Sequence, residues 1–258
     1  MGYETFETLR VDVDARGVAL LTLNRPEKHN ALDLGQMQRL AEILGELSTR
    51  DDIRVLTLTG AGDRTFCSGA DLTGLTGDFP WWENPLDTVA SRLEDLPFAT
   101  ICALNGSVYG GGTDLALACD FRIGQTTAKS FIPPSRFGIH YPLNGLRRAV
   151  ERIGLGPAKQ LYLAGDTFDA QRLHDIGFFD YLVTPEDYQQ KVDDLTASLM
   201  GMAPLSIRHQ KYALNAYARG NIDFTRAQDG VRTCFKSEDY KEGQAALAEK
   251  RKPVFQGK

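Results

Sequence analysis

The chain has 258 residues, 42% hydrophobic and 24% charged, which is typical of a folded globular protein with a substantial core and excludes a low-complexity chain. Its 29 basic and 34 acidic residues give a net charge of -5, so no nucleic-acid partner is expected. Because the start lacks a signal-peptide pattern and no apolar stretch reaches the roughly 18 residues that span a bilayer, we expect a cytoplasmic protein without membrane contact.

The first half of the chain alternates strand patterns with helix patterns. Residues 7–13 and 18–24 are apolar-rich segments around a glycine-containing turn, which predicts an antiparallel hairpin. Helices are predicted where apolar residues recur at helical spacing, over 34–49 and 84–96. Further strands are predicted over 55–60, 100–104 and 121–123. This alternation predicts a layered α/β core.

The second half has a mostly helical pattern. The predicted helices cover 147–153, 157–164, 170–176, 187–202, 204–218, 223–233 and 240–250. We find no internal repeat, and no linker rich in proline, glycine or serine divides the chain. The C-terminal third is therefore expected to be a helical layer.

Three consecutive glycines, Gly110 to Gly112, stand between a strand pattern and an apolar helix pattern in NGSVYGGGTDLALACD (105–120). Glycine lets a ligand oxygen approach the backbone, and the free N–H groups of a helix's first turn attract an anion. A tight turn or close helix packing explains a lone glycine triplet better than a ligand site does.

A second segment of similar character, FCSGADL (66–72), follows the strand predicted over 55–60. An oxyanion hole needs two donors directed at one oxygen, and backbone amides in fixed turns meet that need without reorganisation. The two segments together therefore favour an oxyanion hole over two unrelated turns. Asp71 is expected to anchor its loop rather than act as a base.

Four segments in order resemble the enoyl-CoA hydratase/isomerase family, the crotonase superfamily. They are RPEKHNAL (25–32), FCSGADL (66–72), the segment 105–120 and EKRKPVF (249–255). The resemblance implies an α/β fold with a spiral of ββα turns over 1–200 and a helical oligomerisation region over 201–258. It also implies a homotrimer or a hexamer built as a dimer of trimers, an acyl-CoA substrate and no separate cofactor.

The resemblance places the two oxyanion-hole amides on Ala70 and Gly111. Hydratases of the family use two glutamates, and the first of these positions holds Asp114 here. The second, counted back from Gly138, holds Pro134, which cannot transfer a proton. Ordinary hydration needs both an activated water and a delivered proton, so this departure argues against it. Asp114 remains the best candidate carboxylate, with a charge at a helix start as the alternative.

The segment FGIHYPLNG (137–145) resembles the methylmalonyl-CoA decarboxylase branch of the family, which has a tyrosine matching Tyr141. A carboxylate beside a departing carboxyl group would repel it, so a neutral residue at 134 fits an enolate-forming decarboxylation. His140 is a candidate to orient or protonate the enolate, and hydrogen bonding to the backbone is an equally good explanation for it. These residues favour a decarboxylase-like lyase.

Two alternatives stay open. One is an enoyl-CoA hydratase or double-bond isomerase that uses Asp114 with water or a tyrosine. The other is a non-catalytic acyl-CoA-binding or RNA-binding homologue, which the retained glycines and the acidic net charge disfavour.

The coenzyme A part of the substrate needs cations for its phosphates. Arg25 and Lys28 are candidates, and the resemblance allows Phe255 to approach coenzyme A from a neighbouring subunit. The full set of expected contacts is Arg25, Lys28, Ala31, Ser68, Asp71, Leu72, Gly110, Pro134 and Phe255. Trp81 and Trp82 are expected to anchor a loop or line the acyl pocket.

The remaining histidines and the four cysteines show no metal-ligand spacing. The histidines at 29, 174 and 209 are therefore expected to be structural or solvated. The cysteines are expected to be free thiols, most of them buried.

Overall fold

The structure, a computed structural model, describes residues 8–71, 85–132 and 134–258. Its strands are β1 (Leu9–Val13), β2 (Val18–Leu23), β3 (Val55–Gly60), β4 (Thr65–Cys67), β5 (Ala99–Ala103), β6 (Ser107–Tyr109), β7 (Phe121–Gln125), β8 (Lys129–Phe131), β9 (Thr167–Asp169) and β10 (Tyr181–Val183). Its helices are α1 (Leu34–Ser48), α2 (Pro85–Glu94), α3 (Gly111–Ala118), α4 (Leu143–Ile153), α5 (Leu155–Lys159), α6 (Ala170–Asp175), α7 (Tyr188–Met200), α8 (Pro204–Ala218), α9 (Phe224–Lys236) and α10 (Glu238–Glu249).

The main sheet has six strands in the order β1-β2-β3-β5-β7-β10. The predicted hairpin is confirmed, because β1 pairs antiparallel with β2 from Leu9 opposite Leu23 to Val13 opposite Ala19. All other neighbours in this sheet are parallel. β5 is buried at every residue, as expected for a parallel strand covered on both faces. The predicted layered α/β fold is confirmed.

A second sheet has four short strands in the order β4-β6-β8-β9. β4, β6 and β8 run parallel, whereas β8 pairs antiparallel with β9. Each strand is only three residues long, which is too short to show a hydrophobic alternation in the sequence. This sheet was not predicted, yet it places the two glycine-rich segments side by side.

The predicted helices are present, α8 with the predicted ends and the others with shifted ends. The largest shift is in α4, which begins at Leu143 immediately after Pro142 rather than at 147. The single helix predicted over 157–164 is instead α5 followed by a π-helical turn from Gln160 to Ala164. α1 begins at a capping box, in which Asp33 accepts from Gln36 N and the Gln36 side chain accepts from Asp33 N.

Helices α8 to α10 form the C-terminal helical layer, and α8 packs against the main sheet at β5. Lys211 of α8 is buried there, where its Nζ donates to Phe98 O at 3.0 Å and to Asp120 Oδ2 at 2.7 Å. The division of the chain near residue 200 stays a prediction. In the described part of the chain, no helix has the length and apolarity to cross a membrane.

Candidate active site

The two glycine-rich segments meet at the ends of neighbouring parallel strands. Ser68 to Asp71 follow β4, and Gly110 and Gly111 follow β6, which pairs with β4. A Cβ atom added to Gly69 would lie only 2.4 Å from Gly111 N and 2.9 Å from Gly111 Cα. Gly69 also has a positive φ of 89°, which a side chain disfavours. The two backbones are therefore in direct contact, as the sequence predicted.

The backbone N–H groups of Ala70 and Gly111 point away from the hydrogen bonds that hold these segments. Ala70 forms a parallel bridge with Leu32, in which Leu32 N donates to Gly69 O and Asp71 N donates to Leu32 O, both at 2.8 Å. In this pattern the N–H of Ala70 itself faces the opposite side. Gly111 is the first residue of α3, so its N–H has no partner within the helix. Both donors are thus oriented by neighbouring bonds.

Asp114 lies in the first turn of α3 and is fully buried. Its carboxylate accepts two hydrogen bonds from Arg148 of α4, Nε to Oδ1 at 2.7 Å and Nη2 to Oδ2 at 3.0 Å. Arg148 is also fully buried. Burial raises the pKa of Asp114, whereas the hydrogen bonds and charge of Arg148 act in the opposite direction. The carboxylate is therefore an ion-paired group rather than a free one.

Tyr141 lies beside this ion pair. Its hydroxyl donates to Gly110 O at 3.2 Å, and its ring packs edge-on against Tyr162 with the centroids 4.8 Å apart. A Cβ atom on Gly145 would lie 2.5 Å from Tyr141 Cε1 and 3.1 Å from Asp114 Oδ2. Burial, with the neighbouring Tyr162 and Asp114, raises the pKa of the Tyr141 phenol well above its usual value. Tyr141 therefore remains protonated at neutral pH and is a hydrogen-bond donor.

His140 and Pro134 occupy a more open position. His140 is exposed, and its Nδ1 lies 2.7 Å from the carbonyl oxygen of Tyr141. Pro134 is half-buried and begins a 3-10 turn whose other residues are exposed and which ends at Phe137. The next residue, Ser135, donates to Tyr162 O at 2.8 Å, so its hydroxyl is used for packing the turn.

Arg25 organises the loop that carries several of the predicted coenzyme A contacts. Its guanidinium donates to Ala31 O at 3.1 Å and Gln36 Oε1 at 2.9 Å, and it lies 3.4 Å from Asp71 Oδ2. Lys28, by contrast, is exposed on a 3-10 turn. The predicted loop anchor Asp71 therefore has a basic partner. Leu72, Trp81 and Trp82 lie outside the described residues.

Phe255 lies far from the glycine-rich segments within one chain. Its carbonyl oxygen is 3.5 Å from Arg54 Nη1, and its ring lies against Gly243 of α10. Arg54 immediately precedes β3, whereas the opposite end of β3, at Gly60, contacts Phe66 of the first glycine-rich segment. Within one chain, Phe255 therefore lies toward the opposite end of β3 from the first glycine-rich segment.

Sequence reasoning missed Arg148 and the acidic residues of α2 that hold it. Asp87 and Glu94 of α2 both contact the Arg148 guanidinium, at 3.2 Å and 3.1 Å. A signal was present, because Arg148 falls on the buried face of α4 with Gly145, Ala149 and Ile153. A charged residue at such a position needs a buried partner. Across the described ranges no cluster of three potential metal ligands occurs.

Comparisons with known proteins show which family this chain resembles. The family model described as enoyl-CoA hydratase/isomerase matches residues 14–258. A 1,2-epoxyphenylacetyl-CoA isomerase of Escherichia coli is 34% identical over 256 residues, covering 94% of this chain and 96% of that protein. A short-chain-enoyl-CoA hydratase of Clostridium acetobutylicum is 30% identical over 250 residues, with coverages of 91% and 92%.

Solved structures show the same likeness in three dimensions. The crystal structure of an enoyl-CoA hydratase/carnithine racemase from Magnetospirillum magneticum superposes with a TM-score of 0.91 at 26% identity. The match covers 98% of this chain and 97% of that one.

Proposed function

Because the chain belongs to the enoyl-CoA hydratase/isomerase family, we propose that it converts an acyl-CoA thioester through an enolate bound by the N–H groups of Ala70 and Gly111. The observation that supports this proposal is the backbone contact between Gly69 and Gly111, which sets the segments that carry these two N–H groups side by side. Each such donor contributes about 2.7–4 kcal/mol to stabilising the developing oxyanion.

The reaction that fits the site best is an isomerisation with Asp114 as the proton-transferring group. A double-bond shift needs one base that removes a proton and returns it to another carbon, whereas water addition uses two carboxylates in this family. Asp114 lies three residues after Gly111 on the same face of α3, and the segment around Pro134 supplies no second carboxylate. Tyr141 lies beside Asp114 as a neutral phenol whose hydroxyl donates to Gly110 O.

Decarboxylation is the second candidate, and none of the relatives named above carries that activity. It is favoured by two features. The Asp114 charge is partly neutralised by Arg148, which lowers its repulsion of a substrate carboxylate. The Tyr141 phenol is neutral, so it adds no charge that would repel a substrate carboxylate. The exposed His140 is a further proton source only if a ligand or a second subunit covers it.

For the coenzyme A part of the substrate, we propose that the exposed Lys28 contacts phosphate. Arg25 then acts mainly on the protein, by fixing Ala31 and Asp71 next to the oxyanion hole. Ser68 and Gly110 line the contact between the two segments, where a Cβ on Gly110 would lie 3.1 Å from Ser68 O. These positions leave the backbone accessible to a narrow thioester.

Incubation of the purified protein with three thioesters separates the candidates. A 3-enoyl-CoA, crotonyl-CoA and a malonyl-type CoA report isomerisation, hydration and decarboxylation, through enoyl absorbance and CO2 release. We expect the 3-enoyl-CoA to be converted fastest, and Asp114→Asn to abolish the conversion. Conversion of the malonyl-type ester alone would establish the second candidate. Tight acyl-CoA binding with no turnover of any ester would instead indicate a non-catalytic binding protein.

A further inference from the structure

Arg148 uses all five of its N–H donors inside the protein. Nε and Nη2 donate to the two oxygens of Asp114, and Nη2 also donates to Asp87 Oδ1 at 3.2 Å. Nη1 donates to Glu94 Oε2 at 3.1 Å and lies 3.5 Å from Ser91 Oγ. The guanidinium is therefore fixed in orientation by two helices, α2 and α3, at once.

The three α2 residues that contact Arg148 lie on one face of that helix. Asp87, Ser91 and Glu94 follow one another at intervals of four and three residues, so they share one face of the helix. Glu94 is itself held by two further arginines, Arg147 at 2.7 Å and Arg219 at 2.8 Å. The Arg148 guanidinium beside Asp114 is thus held in place by the carboxylates of α2.

The Asp114 carboxylate of this ion pair lies close to the segment that carries the Gly111 N–H group. Asp114 lies one turn after Gly111 in α3, and its Oδ2 approaches the backbone of Gly145 next to the ring of Tyr141. The Tyr141 hydroxyl in turn bonds to the carbonyl oxygen of Gly110. A shift of Arg148 would therefore move the Asp114 carboxylate, to which it is hydrogen-bonded, without acting on the backbone of Ala70 or Gly111.

We propose that Arg148 is a positioning residue that sets both the orientation and the ionisation of Asp114 for proton transfer. This inference rests on the proposed function, in which Asp114 transfers the proton. A lysine cannot replace Arg148, since an ammonium group lacks the planar fork that binds both carboxylate oxygens of Asp114. The acidic residues of α2 act through Arg148, and the charges of Asp87 and Glu94 also act directly on Asp114 by raising its pKa.

Because the charges around Asp114 have opposite signs, two substitutions are expected to shift its pKa in opposite directions. The groups that face it are Arg148 of α4, Asp87 and Glu94 of α2, and the phenols of Tyr141 and Tyr162. Arg148 favours the ionised carboxylate, so Arg148→Gln raises the pKa of Asp114. Asp87 disfavours it, so Asp87→Asn lowers that pKa while an amide oxygen still accepts from Arg148.

The test is the pH dependence of kcat/KM for the converted acyl-CoA, measured for the full chain and its variants. We expect the acid limb to move to higher pH in Arg148→Gln and to lower pH in Asp87→Asn. We also expect Arg148→Gln to reduce kcat about 100-fold, the loss typical of a misplaced catalytic group, with KM changed less than about threefold. Arg152→Gln is the matched control one turn along α4 and leaves the limb in place.

An acid limb that stays in place in both variants overturns the inference, even if activity falls, because a merely structural role predicts loss without a shift. If Arg148→Gln does not fold, Asp87→Asn alone decides by the same criterion. Asp114→Asn tests the proposed function separately from the role of Arg148. Full activity in that variant would show that Asp114 does not transfer the proton. Without any turnover, carboxyl carbon NMR titration of Asp114 must show the same opposite shifts, and unchanged titration overturns the inference.

Discussion

At the residue scale, the site depends on a backbone contact that only glycine allows. Gly69 combines a positive φ with the closest approach to Gly111, so any side chain at 69 would push the two segments apart. The residues that carry the proposed chemistry on either side, Ala70 and Gly111, act through main-chain N–H groups. The proposed chemistry therefore depends on Gly69, which precedes Ala70 and contacts Gly111, rather than on a side chain.

We expect Gly69→Ala to reduce kcat by about 10²- to 10³-fold, the loss typical of one missing oxyanion-hole donor. Gly154→Ala is the control, because Gly154 has a similar φ of 79° but nothing within 4 Å of an added Cβ. It should cost roughly 1 kcal/mol of stability without loss of activity. Steady-state assays and thermal unfolding of both variants provide the comparison. A folded Gly69→Ala enzyme as active as Gly154→Ala would contradict the assignment.

Part of this residue-level picture could be predicted from the sequence. The glycine segments carry their own signal, because strand, glycine and helix occur in order, and Asp114 follows at a fixed distance. Arg148 could not be assigned in the same way. Its partners Asp87, Glu94 and Asp114 lie 34 to 61 positions away in the chain, and a helical arginine is usually solvated. Only the packing of α2, α3 and α4 shows that it is buried.

At the element scale, helices α8 to α10 carry an apolar surface that one chain leaves uncovered. They line a groove of about 810 Å³, and Leu247, Val231 and Phe235 in it are 82%, 56% and 62% exposed. Surfaces of this kind mark protein contacts. We propose that they pair with other copies of the chain, in the trimer or hexamer that the family resemblance implies, and that Phe255 reaches a neighbouring site there.

We therefore expect the protein to have a mass of three or six chains in solution, and Leu247→Asp to reduce it because a charge would be buried in the contact. Light scattering after size-exclusion chromatography measures this. Leu155→Asp, at a leucine of α5 that is 56% exposed, should retain the wild-type mass. A monomeric wild-type protein would rule the assembly out.

The strand elements show where sequence patterns stop being informative. β2, β3 and β5 were found because five or six apolar-rich residues are enough to recognise. β4, β6, β8 and β9 were missed because three residues carry no period, and their pairing depends on contacts between distant segments. The sequence therefore did not predict the sheet that aligns the site, although it did indicate the glycine-rich segments that follow two of its strands.

At the scale of the whole molecule, the fold brings together groups that the chain separates. Parallel pairing of β4 with β6 sets Ala70 beside Gly111, and α2 and α4 close over α3 to bury Asp114 with Arg148. The α/β class and the family were predictable because the motifs run through nearly the whole chain. The reaction was not, since it depends on the ionisation of one buried carboxylate.

A crystal structure of the protein with a bound acyl-CoA thioester tests the central claim most directly. We predict that the thioester carbonyl oxygen lies about 2.7–3.1 Å from both Ala70 N and Gly111 N, with the Asp114 carboxylate facing the acyl chain. A thioester bound elsewhere, or one whose carbonyl oxygen contacts neither nitrogen, would contradict it.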